Sequence, residues 1–219
     1  LNKLGVDVAE KTRLQGTRGF TGYAKYPEYS PLGMSPESNY IERVLAAGDK
    51  DNPLHGVSYP HYQSSGAPQI GHSRGGSAVL ENAPDIGNAS GDLYLVDEVQ
   101  SDLFQAAAKQ SKKNQETVDQ LFSEVSVDME SPVVKDALNR HHALKTNLER
   151  LPYNKSWPDL LMKDQLQEAA ARDADFFGYT AGSEPFDRYA GTAGPGLADF
   201  YDQKLRNSKF WKQVGLDKP

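Results

Sequence analysis

The sequence predicts an α+β domain: a central, mostly antiparallel sheet with flanking helices and an inserted helical hairpin. Two observations carry that expectation. Leu93–Val99 (LYLVDEV) is an apolar, β-branched run of strand length. Residues 102–150 are polar throughout, with apolar residues at helical spacing, and are broken at Ser131-Pro132. Strand-like segments precede this helical region, and one more follows it after a helix, which makes the element order that of a meander followed by a crossover.

Along the chain, residues 1–22 have weak periodicity and read as an arm or a short helix. Tyr23–Ser38 is rich in Tyr, Pro, Ser and Gly and reads as an irregular aromatic loop. Asn39–Ala47 alternates apolar and polar residues at its start, which favours a strand over a short helix. A long loop with Pro53, Gly56, Pro60, Gly66 and Pro68 leads to Gln69–Leu80, a strand interrupted by glycines. Glycine inside a strand marks a bulge or a close backbone approach. Glu81–Asp92 reads as a turn region. Straight alternation over the next strand puts Leu93, Leu95 and Val99 on one face, and Tyr94, Val96 and Glu98 on the other.

Asp102 is placed to cap the helix that follows. Val118, Leu121, Phe122 and Val125, then Val134, Leu138, Leu144 and Leu148, outline two helices of a hairpin. Ser156 can cap a further helix that carries Pro158 and Asp159 in its first turn and runs to about Asp173. Leu160, Leu161, Leu166 and Ala169–Ala171 are its expected inward residues. Asp175–Thr180 reads as a strand, Pro185–Tyr189 as a helical turn, Gly191–Gly196 as a flexible stretch, and Leu197–Val214 as one amphipathic helix or two short ones. The expected organisation is an arm (1–22), a strand-rich first half (23–102), a helical insertion (103–153), and a helix–strand–helix second half of the same domain (154–219).

Composition narrows the functions. The chain has 219 residues, and its 25% charged content with a net charge of −6 leaves no run of Lys or Arg. Phosphate neutralisation needs such a basic surface, so duplex nucleic acid is not the expected main partner. There is no cysteine, which removes disulfides, thiolate metal sites and cysteine nucleophiles and fits a reducing compartment. No apolar run is long enough to cross a membrane. The first residues lack the pattern of a signal peptide. The absence of an initial Met suggests a fragment or a processed product. Eleven Tyr, eight Phe and two Trp supply the apolar area for a core despite the polarity.

The densest polar group is Glu98-Val99-Gln100-Ser101-Asp102, where a strand gives way to a helix. Rigid strand ends aim side chains into clefts, so Glu98 is a candidate general base, and Ser101 and Asp102 are candidates for substrate contact or catalysis. The structural alternative makes Ser101 or Asp102 a helix cap and Glu98 the buried partner of Arg74. His72 and Arg74 lie two apart and share a face; if their strand pairs with Leu93–Val99, they meet Glu98 and Gln100 and could hold a proton or an anion. Arg188-Tyr189 follows Thr180-Ala181-Gly182, where a glycine turn and an arginine could clamp an anion, with an ordinary turn as the alternative. His141-His142 point apart on a helix, and His55 and His61 have no carboxylate at ligand spacing, so no metal site is expected. Neither a P-loop nor a GxSxG elbow is present. No motif names a cofactor.

Several stretches together resemble a domain of the large polyvalent proteins of phages and mobile elements. They are Tyr26–Tyr29 with Tyr40–Leu45, Ile70–Arg74, Leu93–Asp102 with its Glu-x-Gln-Ser-Asp ending, Trp157–Ala171 with Lys163, Tyr179–Tyr189, and Phe200–Leu205. The resemblance runs from about Tyr23 to Gly215, with a differently built loop between the His72 and Leu93 strands and a long insertion from Leu103 to Tyr153. It implies a protein that travels with phage DNA, works in the host cytoplasm, and meets host or virion proteins; it implies no particular reaction. The helix–strand–helix order after Trp157, with Phe200-Tyr201 near its end, is similar to the second half of a GNAT-type acetyltransferase. That fold holds the coenzyme A pyrophosphate at a Gly-x-Gly helix start, whereas this helix opens with Lys155-Ser156-Trp157-Pro158.

The leading expectation is therefore a transferase-like accessory domain whose polar cleft is lined by His72, Arg74, Glu98, Gln100, Ser101 and Arg188. A non-catalytic interaction module and a structural protein carried inside the virion are the alternatives. The sequence leaves the oligomeric state open, because no heptad seam is sustained.

Overall fold

The computed structural model describes residues 6–12, 40–47, 69–123, 128–150, 153–183 and 196–216. Five strands form one sheet in chain order: β1 (Val6–Thr12), β2 (Ile41–Ala47), β3 (Gln69–Ala83), β4 (Ala89–Gln100) and β5 (Phe176–Tyr179). The first three pairings are antiparallel and β4–β5 is parallel. Between β4 and β5 lie three helices, α1 (Asp102–Phe122), α2 (Pro132–Arg150) and α3 (Trp157–Ala171). This is a mixed α+β fold with helices flanking a sheet.

The segment expected as an arm contains β1. Its sequence signal is slight, Val6 and Val8 about Asp7, and the strand forms by pairing with β2, Val8 opposite Leu45. The turn expected over Glu81–Asp92 is shorter than that. β3 runs on to Ala83 and β4 starts at Ala89, with only a 3-10 turn at Pro84–Ile86 between them. Gly87 closes it at φ +73°, its N–H donating to Pro84 O at 3.3 Å. A left-handed residue here is inexpensive for glycine.

The hairpin of α1 and α2 buries little. Leu103 and Ala107 of α1 and Val134 and Ala137 of α2 are its only fully buried residues among those described. Its two helices close at the base where Leu103 packs with Phe104 and Leu148, and Phe104 also packs against the main core. The amphipathic tail expected after Leu197 is two short pieces, an α-helical turn at Gly196–Asp199 that runs into a π-helix at Phe200–Leu205, then a turn at Phe210–Gln213.

The main core lies between one sheet face and α3 with the C-terminal pieces. Leu45, Tyr94, Val96 and Val99 of the sheet meet Leu160, Leu161 and Ala169 of α3 and Tyr201, Leu205, Phe210 and Trp211. The inner face of α3 is not wholly apolar, as the sequence led us to expect. Leu166 is half-buried, Ala170 and Ala171 are exposed, and Asp164 and Gln165 are fully buried instead. Both polar groups are matched, because burial without partners would cost several kcal/mol. Arg43 on β2 grips Asp164, while Gln165 accepts from Tyr94 Oη at 2.6 Å and donates to Ser73 Oγ at 2.7 Å. Ser156 occupies the N-cap of α3, but its hydroxyl makes no capping bond.

β4 does not keep straight alternation. Arg74 pairs with Glu98 and Gly75 with Val96, so Asp97 is an extra residue on β4, a β-bulge. Val99 thereby joins Tyr94 and Val96 in the α3-side core. Leu93 and Leu95 pack on the other face with Ala78, Leu80 and Phe176. The expected grouping of Val99 with Leu93 and Leu95, and of Glu98 with Tyr94 and Val96, is corrected by this one residue.

Candidate functional site

The bulge builds the site. Paired residues of neighbouring antiparallel strands share a face. The register sets Glu42 opposite Arg74 and Val44 opposite His72 across β2–β3, and Arg74 opposite Glu98 and His72 opposite Gln100 across β3–β4. Glu42, His72, Arg74 and Glu98 therefore cluster on the sheet face away from α3. All four are buried, none more than 2% exposed. The Arg74 guanidinium donates through Nη1 to Glu98 Oε2, and its Nε lies 3.2 Å from Glu42 Oε1. One arginine thus bridges two carboxylates from the strands on either side of it. The expected meeting of the His72-Ser73-Arg74 strand with Glu98 and Gln100 is realised.

Tyr40, at the entry to β2, adds a phenol to the cluster. Its ring is buried, and its hydroxyl has no hydrogen-bond partner among the described residues. Burial holds the phenol protonated far above the usual tyrosine range. The charge of Arg74 opposes that shift, and Asp97, Glu42 and Glu98 reinforce it, which places Tyr40 within electrostatic reach of all four. Asp97 is itself fully buried.

Three of the expected site residues serve the turn from β4 into α1. Ser101, not Asp102, is the N-cap: its Oγ accepts from Phe104 N at 3.2 Å and donates to Ile70 O at 2.6 Å. A hydroxyl committed in both directions is a structural brace rather than a free nucleophile. Asp102 is the first residue of α1 and accepts from Gln100 Nε2 at 2.8 Å, and both are half-buried. Arg188 and Tyr189 lie outside the described residues, as do His55 and His61. His141 and His142 sit on α2 with ring centroids 5.8 Å apart. No group of three metal-ligating side chains forms among the described residues.

On the opposite side of β4 the chain opens. β5 pairs with β4 only from Leu93 to Val96. Thr180 then extends the contact by one step, its N–H donating to Val96 O at 3.0 Å and its Oγ1 to Asp97 O at 2.9 Å. Beyond that point the β4 edge meets a side chain instead of a strand: Val99 N donates to Tyr201 Oη at 2.9 Å. Val99 lines a cleft of about 890 Å³ that also meets Phe104, Trp157, Phe200, Lys155 and Lys204. Phe104, Trp157 and Phe200 stack in a ladder, with centroids 6.1 and 5.5 Å apart and planes within 11° and 9°.

No protein-family model, no curated protein and no solved structure matches this chain.

The site therefore rests on its own geometry: a buried charged cluster on one face of β4 and an open aromatic cleft on the other, one residue apart at Glu98 and Val99. Tyr40, Glu42 and Asp97 were missing from the sequence-based set. Glu42 carries a usable signal, a carboxylate among Tyr40, Ile41, Val44 and Leu45 in a strand buried on both faces. Asp97 carries none, because only the pairing with β3 reveals it as the inserted residue. Among the described residues, no helix is long and apolar enough to cross a membrane.

Proposed function

We propose that this chain is a transferase-like accessory domain of the phage polyvalent kind, acting in the cytoplasm of the infected host, with Glu98 as its proton acceptor. The observation that carries this is the placement of Glu98 at the β4 bulge, held by Arg74 beside Glu42 and within electrostatic reach of Tyr40. Bulges re-aim side chains next to reaction sites. A buried ion network is a poor choice for stability alone, since apolar residues of similar volume do as well or better. Arg74 would orient Glu98, with the buried Tyr40 phenol in its electrostatic field and His72 on the same sheet face. Four strands in antiparallel succession, then helices, then a parallel fifth strand that parts from its neighbour, support a GNAT-like connectivity. The Leu93–Asp102 stretch supports the phage reading.

The test is turnover. The protein is incubated in bacterial extract with labelled acetyl-CoA, NAD or ATP, and donor consumption and acceptor labelling are followed. One donor is expected to be consumed, and Glu98→Gln is expected to slow this by about a hundredfold or more, the usual contribution of a general base, with the melting temperature retained. Gln keeps a hydrogen-bond acceptor for Arg74, so folding is preserved. Equal activity in a folded Glu98→Gln protein, or no consumption of any donor, would end this reading.

A second reading, docking to a host or virion protein, is favoured by one observation. Phe122, Met129 and Val133 are exposed at 46%, 49% and 65% around the tip of the α1–α2 hairpin. In that case Phe122→Ser with Val133→Ser abolishes the association and Glu98→Gln does not.

A further inference from the structure

We infer that the cleft between the base of the helical hairpin, the start of α3 and the π-helix binds a nucleotide, a flat base joined to phosphate. Nothing in this assignment draws on Glu98, and binding rather than turnover tests it, so either reading can fail alone.

Charge comes first. The chain is acidic, with 30 Asp and Glu against 24 Lys and Arg. Yet the described residues that line the cleft include two lysines and no carboxylate. Lys155 and Lys204 are both exposed, and neither makes an ion pair with a described residue. Lys112 and Lys135 have Glu116 and Glu130 beside them, whereas no carboxylate stands among the described lining residues beside Lys155 and Lys204. Two unneutralised cations at the rim of one cleft favour an anion there.

The interior is different in kind. The Phe104–Trp157–Phe200 ladder forms a wall of fixed aromatic carbon, held in register because Phe104 opens α1, Trp157 opens α3 and Phe200 opens the π-helix. Val99 closes the floor at the sheet. A bare phosphate would gain nothing from this wall, whereas a purine or pyrimidine ring packs on such surfaces at low entropic expense. Asn154 supplies a polar mark within it. Its Nδ2 is committed to Leu148 O at 2.6 Å, which leaves Oδ1 as an acceptor for an exocyclic amino group on the base. The cleft volume of about 890 Å³ accommodates a mononucleotide. Apolar interior, one fixed acceptor and cations at the mouth together match the order of groups along a nucleotide.

The experiment is calorimetric titration of the full chain with ADP, with inorganic pyrophosphate and dodecyl phosphate as companions. Saturable ADP binding is expected, with pyrophosphate weaker because it lacks the base, and dodecyl phosphate weaker because it lacks the ring and the amino group. Lys155→Ala with Lys204→Ala should weaken ADP binding by about tenfold or more. Both positions are exposed, so the variant folds, and its melting curve checks that. No ADP binding at millimolar concentration overturns the assignment. So does equal ADP affinity in the lysine variant. Pyrophosphate binding as tightly as ADP removes the role of the aromatic wall and overturns it as well, and tighter dodecyl phosphate binding would assign the cleft to a lipid anion instead.

Discussion

Arg43 of β2 holds Asp164 of α3 with two parallel hydrogen bonds, Nε to Oδ2 at 2.5 Å and Nη2 to Oδ1 at 2.8 Å, while its Nη1 reaches Glu168 Oε2 at 3.2 Å. Asp164 is fully buried, so this fork ties the helix to the sheet through the core rather than across the surface. Arg43→Met leaves the buried carboxylate without its guanidinium and is expected to cost about 3–5 kcal/mol. Arg43→Met combined with Asp164→Leu should recover most of that. Urea unfolding of the two singles and the double measures it, and a loss below about 1 kcal/mol for Arg43→Met would show that the fork contributes little.

Gly71 is a contact point between three elements. A Cβ there would lie 2.6 Å from Gln100 O and 3.0 Å from Leu161 Cδ1. Gly71→Ala must push β3 away from β4 or from α3, and should cost about 1–3 kcal/mol. Gly196→Ala is the matched control, since no atom lies within 4 Å of its added carbon. The two melting temperatures should differ clearly, and equal values would mean that the strand shifts without penalty.

Ser101→Ala removes the N-cap of α1 and the bond to Ile70 O together. The expected loss is about 1–2 kcal/mol. Because the lesion is local, amide exchange at Phe104 and Gln105 should accelerate more than exchange in α3. Uniform acceleration would instead place Ser101 in the global core.

Two buried phenols set the alkaline behaviour. Tyr40 and Tyr94 are both held above the usual tyrosine range, chiefly by desolvation. A raised folded-state value means that the native protein keeps protons that the unfolded chain has already released. Their contribution to stability is therefore complete below about pH 10, the ordinary tyrosine value, and declines as pH rises above it. Melting temperature should fall steeply above about pH 10, and Tyr40→Phe should flatten that fall while leaving the curve near neutrality little changed. An unaltered alkaline limb in Tyr40→Phe would show that its phenol ionises freely in the folded state.

Much of this architecture is legible in the amino-acid order. β2, the body of β3, β4, β5 and the three long helices follow from local alternation, helical spacing and the Ser131-Pro132 break, and the pairing of Arg74 with Glu98 follows from placing two polar strand segments side by side. What escaped is non-local. β1 has only Val6 and Val8 to announce it, and exists through its partner. Asp164 and Gln165 look like solvent-facing helix residues until Arg43, Tyr94 and Ser73 are brought opposite them. The two faces of β4 were misassigned because the interruption at Asp97 is defined by what stands across from it on β3. The cleft was illegible for the same reason: Phe104, Trp157 and Phe200 are scattered over about half the chain and share a wall only after folding.

The extra residue at Asp97 has a consequence for how this domain can change over time. Single-residue deletions are usually tolerated at loop tips and rejected inside strands. Here a deletion at position 97 would restore plain alternation along β4 and leave every face as it is, with Val96 and Val99 toward α3 and Glu98 opposite Arg74. The strand would become more regular, and the losses would be the buried Asp97 carboxylate and the bond from Thr180 Oγ1 to the Asp97 carbonyl. Descendants of this chain are therefore free to vary the length of the hairpin α1–α2 and even to lose the bulge, provided that Val96, Glu98 and Val99 still stand across from Gly75, Arg74 and Ser73.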